Sequence, residues 1–214
     1  MISKLRKKIR FLQEILAWPF IKLKINPNLI SVFGLVLALI GAYFVILQNW
    51  VLVLIFFILA PTMDLIDGTV ARKLNKTSNW GNYFETMIDK FVDFTMLASF
   101  ILLFPVASVL ALGTSLISSY AKPRVGLIII TDNRDWPAIG EHADKLIILL
   151  LSLILTIFLG PNFYGFSFIE VALYFIAVIS FIGSIQRMIY AKSLIREAEK
   201  KGTLLPYLKN KKER

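Results

Sequence analysis

The sequence predicts an all-α integral membrane protein: six transmembrane helices preceded by an N-terminal amphipathic helix in the membrane interface, with both termini cytoplasmic. Three observations carry this reading. The 214 residues are 57% hydrophobic and include no cysteine, whereas a soluble domain is about 45–50% apolar. The net charge of +10 is gathered at the ends: residues 1–24 and 187–214 carry +6 each, so residues 25–186 sum to −2. The interior holds six apolar stretches, each near the roughly 20 residues that a helix needs to cross the hydrocarbon core. Such a composition excludes a disordered chain, a collagen and a disulfide scaffold. Basic ends on so apolar a body suit anionic lipid headgroups and not nucleic acid.

Residues 2–24 alternate Lys and Arg with Leu, Ile, Phe and Trp18. That pattern lays a helix in the interface instead of across it. Asn26-Pro27-Asn28 breaks it, and no small-residue cleavage site follows, so it is not read as a signal peptide. The chain thus divides into an interfacial helix (1–26), a six-helix membrane domain (27–190) and a basic cytoplasmic tail (191–214). The expected spans are Ile30–Leu47, which is free of charge; Val51–Arg72, apolar to Met63 and then acidic; and Asn82–Phe104, charged first and apolar after Asp93. They continue with Val106–Val125, which ends on Lys122 and Arg124, then Glu141–Leu159, then Phe166–Arg187. The connections Gln48–Trp50, Pro105 and Gly160–Gly165 are uncharged, while Lys73–Trp80 and Thr131–Gly140 carry several charges. The positive-inside rule then places both termini and both charged loops in the cytoplasm, which six spans in a cell membrane allow.

The chemistry-bearing feature is a group of acids at the inner ends of two spans: Asp64, Asp67, Glu85, Asp89 and Asp93. A charge at the centre of a span costs about 2.5–3.5 kcal/mol on the insertion scale, so five near the lipid boundary need a reason. Asp64, Asp67 and Ala71 are spaced i, i+3, i+7, and Glu85, Asp89 and Asp93 are spaced i, i+4, i+8. Each set therefore shares one helical face. A short loop makes the two helices antiparallel neighbours, so the acids converge on one polar cavity. Clustered carboxylates repel unless a cation lies between them. Mg²⁺ in particular shares carboxylates with substrate phosphates, and two metals about 3.5–4 Å apart stabilise a displacement at phosphorus. Gly68 and Gly81 leave room for a ligand to approach the backbone. The competing readings are a structural network with Arg72, Lys73 and Lys90, and a small ion-coupled transporter, since intramembrane acids also mark ion paths.

The segment Asp64-Leu-Ile-Asp67-Gly68-Thr-Val-Ala71-Arg72, then Gly81, Glu85 and Asp89 at fixed spacing, resembles the signature of the CDP-alcohol phosphatidyltransferases, D-x-x-D-G-x-x-A-R-x8-G-x3-D-x3-D. The resemblance extends to length, number of spans, the basic interfacial helix and Pro27-Asn28 before the first span. One position departs from the pattern: Glu85 stands where the family has Asp. Its extra methylene bears on metal choice, because Mg²⁺ is strict about geometry and Mn²⁺ less so.

The resemblance implies transfer of a phosphatidyl or archaetidyl group from CDP-diacylglycerol or CDP-archaeol to a polar alcohol, with release of CMP. Carried over by position, Asp64, Asp67, Glu85 and Asp89 would hold two divalent cations, Mg²⁺ or Mn²⁺. Asp67, Gly68, Ala71, Arg72 and Gly81 would form the nucleotide site, and Asp89 would also be the general base. Asp93 lies outside the motif and is read as a supporting or salt-bridging group. Tyr120-Ala-Lys122-Pro-Arg124, Glu141-His142-Ala-Asp144-Lys145 and Gln186-Arg187-Met-Ile-Tyr190 resemble segments of the phosphatidylinositol-phosphate and archaetidylinositol-phosphate synthases, with Pro123, His142 and Lys145 departing from that pattern. Lys122, Arg124, His142, Lys145 and Arg187 would then bind inositol phosphate, since converging cations suit an anionic acceptor. Glycerol 3-phosphate and serine are the alternatives. Relatives form homodimers, and a homodimer is expected by the same analogy.

Overall fold

The computed structural model describes residues 2–129, 136, 138–162 and 165–205, with side chains described from Phe11 onward. Parts of the expected Thr131–Gly140 loop and of the basic tail lie outside the described residues. The chain folds as two compact units, Met1–Leu102 and Leu103–Arg214. Among the described residues, helices joined by turns make up the architecture, with an isolated bridge pairing Ile129 and Leu204.

The first unit holds four helices: α1 (Ile2–Lys22), α2 (Pro27–Ile46), α3 (Trp50–Lys73) and α4 (Asn79–Ala98). α1 keeps Phe11, Leu12, Ile15, Leu16 and Trp18 exposed and buries Ala17. It is pinned to the end of α3 by Glu14, whose carboxylate lies 3.1 Å from Lys73 Nζ. The break read at Asn26-Pro27 is a helix start: Asn26 caps α2 by accepting from the Asn28 N–H at 3.1 Å, and Pro27 takes the first turn, where its missing N–H costs nothing. α2 and α3 pack closely because α2 offers glycines. A Cβ on Gly34 would stand 3.0 Å from the Ala60 carbonyl oxygen and from Met63 Cβ, and one on Gly41 would stand 2.6 Å from the Phe57 ring. Backbones approach in this way where small residues face a partner helix. Ser78 caps α4 by accepting from the Gly81 N–H at 2.9 Å. α4 ends at Ala98, six residues before the expected Phe104, in a run of turns leading to Pro105.

The second unit holds α5 (Pro105–Val125), α6 (His142–Leu159) and α7 (Phe168–Lys201). α5 lays Ala107, Ala111, Ser115 and Ser118 against α7, and the Ser115 and Ser180 hydroxyls meet at 3.3 Å. The last span was expected to stop at Arg187, but α7 runs on to Lys201 and is capped by Gly202 in the left-handed conformation. At 34 residues it is about 51 Å long, well beyond the roughly 30 Å hydrocarbon core. Its added turns hold together because Ala191, Leu194, Ile195 and Ala198 form an apolar stripe with Val125, Ile129 and Trp136.

Among the described residues, four helices are long and apolar enough to cross a bilayer: α2, α3, α6 and α7. α4 and α5 were expected to span as well but do not meet that measure. α4 carries Glu85, Asp89, Lys90 and Asp93 within 20 residues, and α5 is rich in Ser, Thr and Gly.

Candidate active site

Everything read as metal- or nucleotide-binding lies in the first unit. The last turns of α3 and the first turns of α4 bring Asp64, Asp67 and Glu85 together, with one carboxylate oxygen from each within 4.8 Å of the others. With Asp89 they line a cavity of about 10 Å³, room for one water or small ion. Asp67 is 1% exposed. Its Oδ2 accepts from the Ser31 hydroxyl of α2. Its Oδ1 is buried with no hydrogen-bond partner among the described residues. A buried, half-satisfied carboxylate beside two others is unfavourable unless a cation completes it. The donor set is all oxygen, the preference of hard divalent ions. The residues therefore fit a divalent metal.

Asp89 lines the same cavity but stands apart from the trio. Lys90 reaches both Asp89 (3.0 Å) and Asp93 (3.2 Å), tying the two acids together. The expected common face of Glu85, Asp89 and Asp93 is thus divided between the trio and this lysine clasp.

Beside the small cavity lies a cleft of about 350 Å³, and Ser31 and Glu85 line both. Of the residues expected to form a nucleotide site, Gly68, Ala71, Arg72 and Gly81 line the cleft, whereas Asp67 lines the small cavity beside it. A Cβ on Gly68 would stand 3.4 Å from the Arg72 guanidinium and 3.7 Å from Glu85 Oε1, so its absence keeps the passage between cation and acid open. Arg72 is steadied by donating to Thr69 Oγ1 at 3.2 Å. The sequence reading missed the cleft's other polar lining, Asn28, Ser31, Lys76, Thr77, Ser78 and Asn82. The only signals were Pro27-Asn28, noted for its place before the span, and a serine within an apolar run.

The cations read as acceptor-binding lie in the second unit. Arg187 donates through Nη1 to the Ser118 carbonyl and hydroxyl, 2.7 Å each, and its Nη2 lies 3.7 Å from Glu141. Glu141 immediately precedes His142 at the start of α6. Lys145, one turn on, is only 7% exposed. Lys122 lies one turn beyond Ser118 on α5, and Arg124 is exposed near the helix end.

An oxygen-lined metal cavity beside a polar cleft, on an all-helical chain with membrane-length helices, defines a membrane enzyme that works on a phosphate-bearing substrate. The chain belongs to the CDP-alcohol phosphatidyltransferases, whose family profile matches residues 24–183. It is thus a transferase of phospholipid biosynthesis. It is similar to the archaetidylinositol phosphate synthase of Pyrococcus horikoshii, with 27% identity over 90% of this chain and 97% of that one. It also resembles the phosphatidylinositol phosphate synthase of Streptomyces avermitilis, with 29% identity over 64% of this chain and 59% of that one. The fold matches the Mycobacterium tuberculosis phosphatidylinositol phosphate synthase crystallised with CDP-DAG bound. There the TM-score is 0.68 and the identity 19%, covering 84% of this chain and 92% of that one. A second structure of that enzyme holds manganese and citrate, with the same TM-score and identity.

Proposed function

We propose that this protein transfers a phosphatidyl or archaetidyl group from CDP-diacylglycerol or CDP-archaeol to inositol phosphate, releasing CMP. The observation that carries the donor half is the pairing of a carboxylate-lined cavity with the adjoining Gly68–Arg72–Gly81 cleft. What supports the acceptor half is the set of cations in the second unit, together with the names of relatives that act on inositol phosphates.

Asp64, Asp67, Glu85 and Asp89 would hold two divalent cations, Mg²⁺ or Mn²⁺, which would neutralise the diphosphate and activate the lipid-side phosphorus. Gly68, Ala71 and Gly81 admit the nucleotide close to the backbone, and Arg72 pairs with its phosphates. Ser31, which lines both the cleft and the small cavity, joins the nucleotide site to Asp67. Asp89 takes the proton from the acceptor hydroxyl as the oxygen attacks. Lys122, Arg124, His142, Lys145 and Arg187 bind the acceptor's phosphate. The chemistry asks for positioning and charge neutralisation more than for covalent help.

We further read residues 1–26 as an interfacial helix and 27–190 as a membrane domain of six spans, α4 and α5 included. Residues 191–214 then form a basic tail, the active site faces the cytoplasm, and two copies pair as a homodimer.

The test is CMP release by purified protein given CDP-diacylglycerol or CDP-archaeol, Mn²⁺ or Mg²⁺ and single acceptors. Inositol phosphate is expected to turn over fastest. Faster turnover with glycerol 3-phosphate or serine would reassign the acceptor within the family.

A further inference from the structure

The start of α6 is locked onto α7 by an interlock of Ile139, Gly140, Gly183 and Gln186, residues that the chemistry above does not use. The Ile139 carbonyl oxygen occupies the space of a missing side chain on α7: a Cβ on Gly183 would stand 2.1 Å from it. Gly140, at φ +72°, presses back, and a Cβ there would stand 2.8 Å from the Ile179 carbonyl oxygen and 3.0 Å from the Ser180 nitrogen. Glycine is the residue that accepts such a φ and such an approach. The Ile139 N–H donates to Gln186 Oε1 at 2.9 Å. The Gly140 and Glu141 N–H groups donate to Asp144 Oδ2 at 3.1 and 3.0 Å. Arg187, next to Gln186, fixes Ser118 on one side and Glu141 on the other.

Two devices are therefore stacked on six residues, and they do different things. The Glu141–Asp144 capping box starts the helix by satisfying backbone donors of its first turn. The Ile139–Gly140 clamp acts between helices, through Gly183 and Gln186 of α7. It sets the height and rotation of α6 along α7, and so the register of His142 and Lys145 relative to Arg187. Several cations recognise one phosphate only at fixed spacing, because charge-assisted hydrogen bonds are short.

We propose that Gly183 and Gln186 of α7, with Gly140, are positioning residues that set acceptor specificity. They hold the first turn of α6 at the register in which its cations meet the acceptor's phosphate. This rests on the reading of the acceptor as a phosphorylated alcohol.

The test is steady-state CMP release by the full chain, varying inositol phosphate at saturating CDP-lipid and then the reverse. Gly183→Ala forces Ile139 to move, and a misplacement of about 1 Å can cost roughly 100-fold. Its expected effect is an acceptor KM raised about 10- to 100-fold, with donor KM and kcat within about threefold. Gln186→Met keeps the volume and removes the acceptor atom. It is expected to raise acceptor KM by about 3- to 10-fold and to lose hydrogen-exchange protection at Ile139. This variant carries the test if Gly183→Ala does not fold. Gly113→Ala, whose Cβ meets nothing within 4 Å, is expected to match the wild type. Wild-type turnover with acceptor KM unchanged in both variants, or with donor and acceptor KM rising together, overturns this inference alone. Wild-type turnover with no phosphorylated alcohol overturns the acceptor reading and this inference with it.

Discussion

At the scale of single residues, the site rests on Asp67 and on what surrounds it. Its one satisfied oxygen depends on Ser31, which orients the carboxylate as outer groups commonly orient metal ligands. Ser31→Ala is expected to weaken apparent metal affinity by roughly 10- to 100-fold with little change in activity at saturating metal, read from CMP release against Mn²⁺ concentration. Unchanged metal dependence would remove Ser31 from the site. Glu85 makes the other residue-scale prediction. Shortening it with Glu85→Asp is expected to shift the ratio of Mg²⁺- to Mn²⁺-supported turnover toward Mg²⁺, because the smaller ion tolerates less distortion. An identical ratio would mean that the extra methylene is absorbed elsewhere. The convergence of Asp64, Asp67 and Glu85 was legible from their spacing on two neighbouring helices. Ser31 was not: a serine in an apolar run gains meaning only when Gly34 lets α2 come close to α3, and that approach is tertiary.

At the scale of elements, apolar runs and breakers located the described helices, while boundaries followed contacts that the sequence does not display. α7 outran its expected end because Ala191, Leu194, Ile195 and Ala198 keep helical spacing inside a polar stretch and find Trp136 and Ile129 to pack on. α4 ended early because turns at Ser99–Phe104 lead into Pro105. The α2–α3 pair frames the metal cavity, so its packing is testable by itself. Gly41→Ala places a methyl 2.6 Å from the Phe57 ring, and overpacking of this kind costs about 1–3 kcal/mol. A lower thermal midpoint is expected for Gly41→Ala than for Gly113→Ala. Equal midpoints would mean that Phe57 swings aside freely.

At the scale of the whole molecule, the net charge of +10 is gathered at the ends, and the slightly acidic interior holds the carboxylate cluster. The absence of native cysteine makes orientation directly measurable. In everted vesicles, Asn79→Cys is expected to react with a membrane-impermeant maleimide, and Leu47→Cys is expected to react only in intact cells. Labelling of both from one side would contradict the six-span topology. The central claim is that Asp64, Asp67, Glu85 and Asp89 hold divalent metal on the diphosphate of a CDP-linked lipid. CMP release from CDP-diacylglycerol or CDP-archaeol with inositol phosphate, before and after metal chelation, in wild type and Asp67→Asn, tests it most directly. The expected result is turnover that chelation abolishes and added Mn²⁺ or Mg²⁺ restores in the wild type, and that no metal restores in Asp67→Asn. Turnover persisting through chelation, or in Asp67→Asn at the wild-type rate, would contradict it.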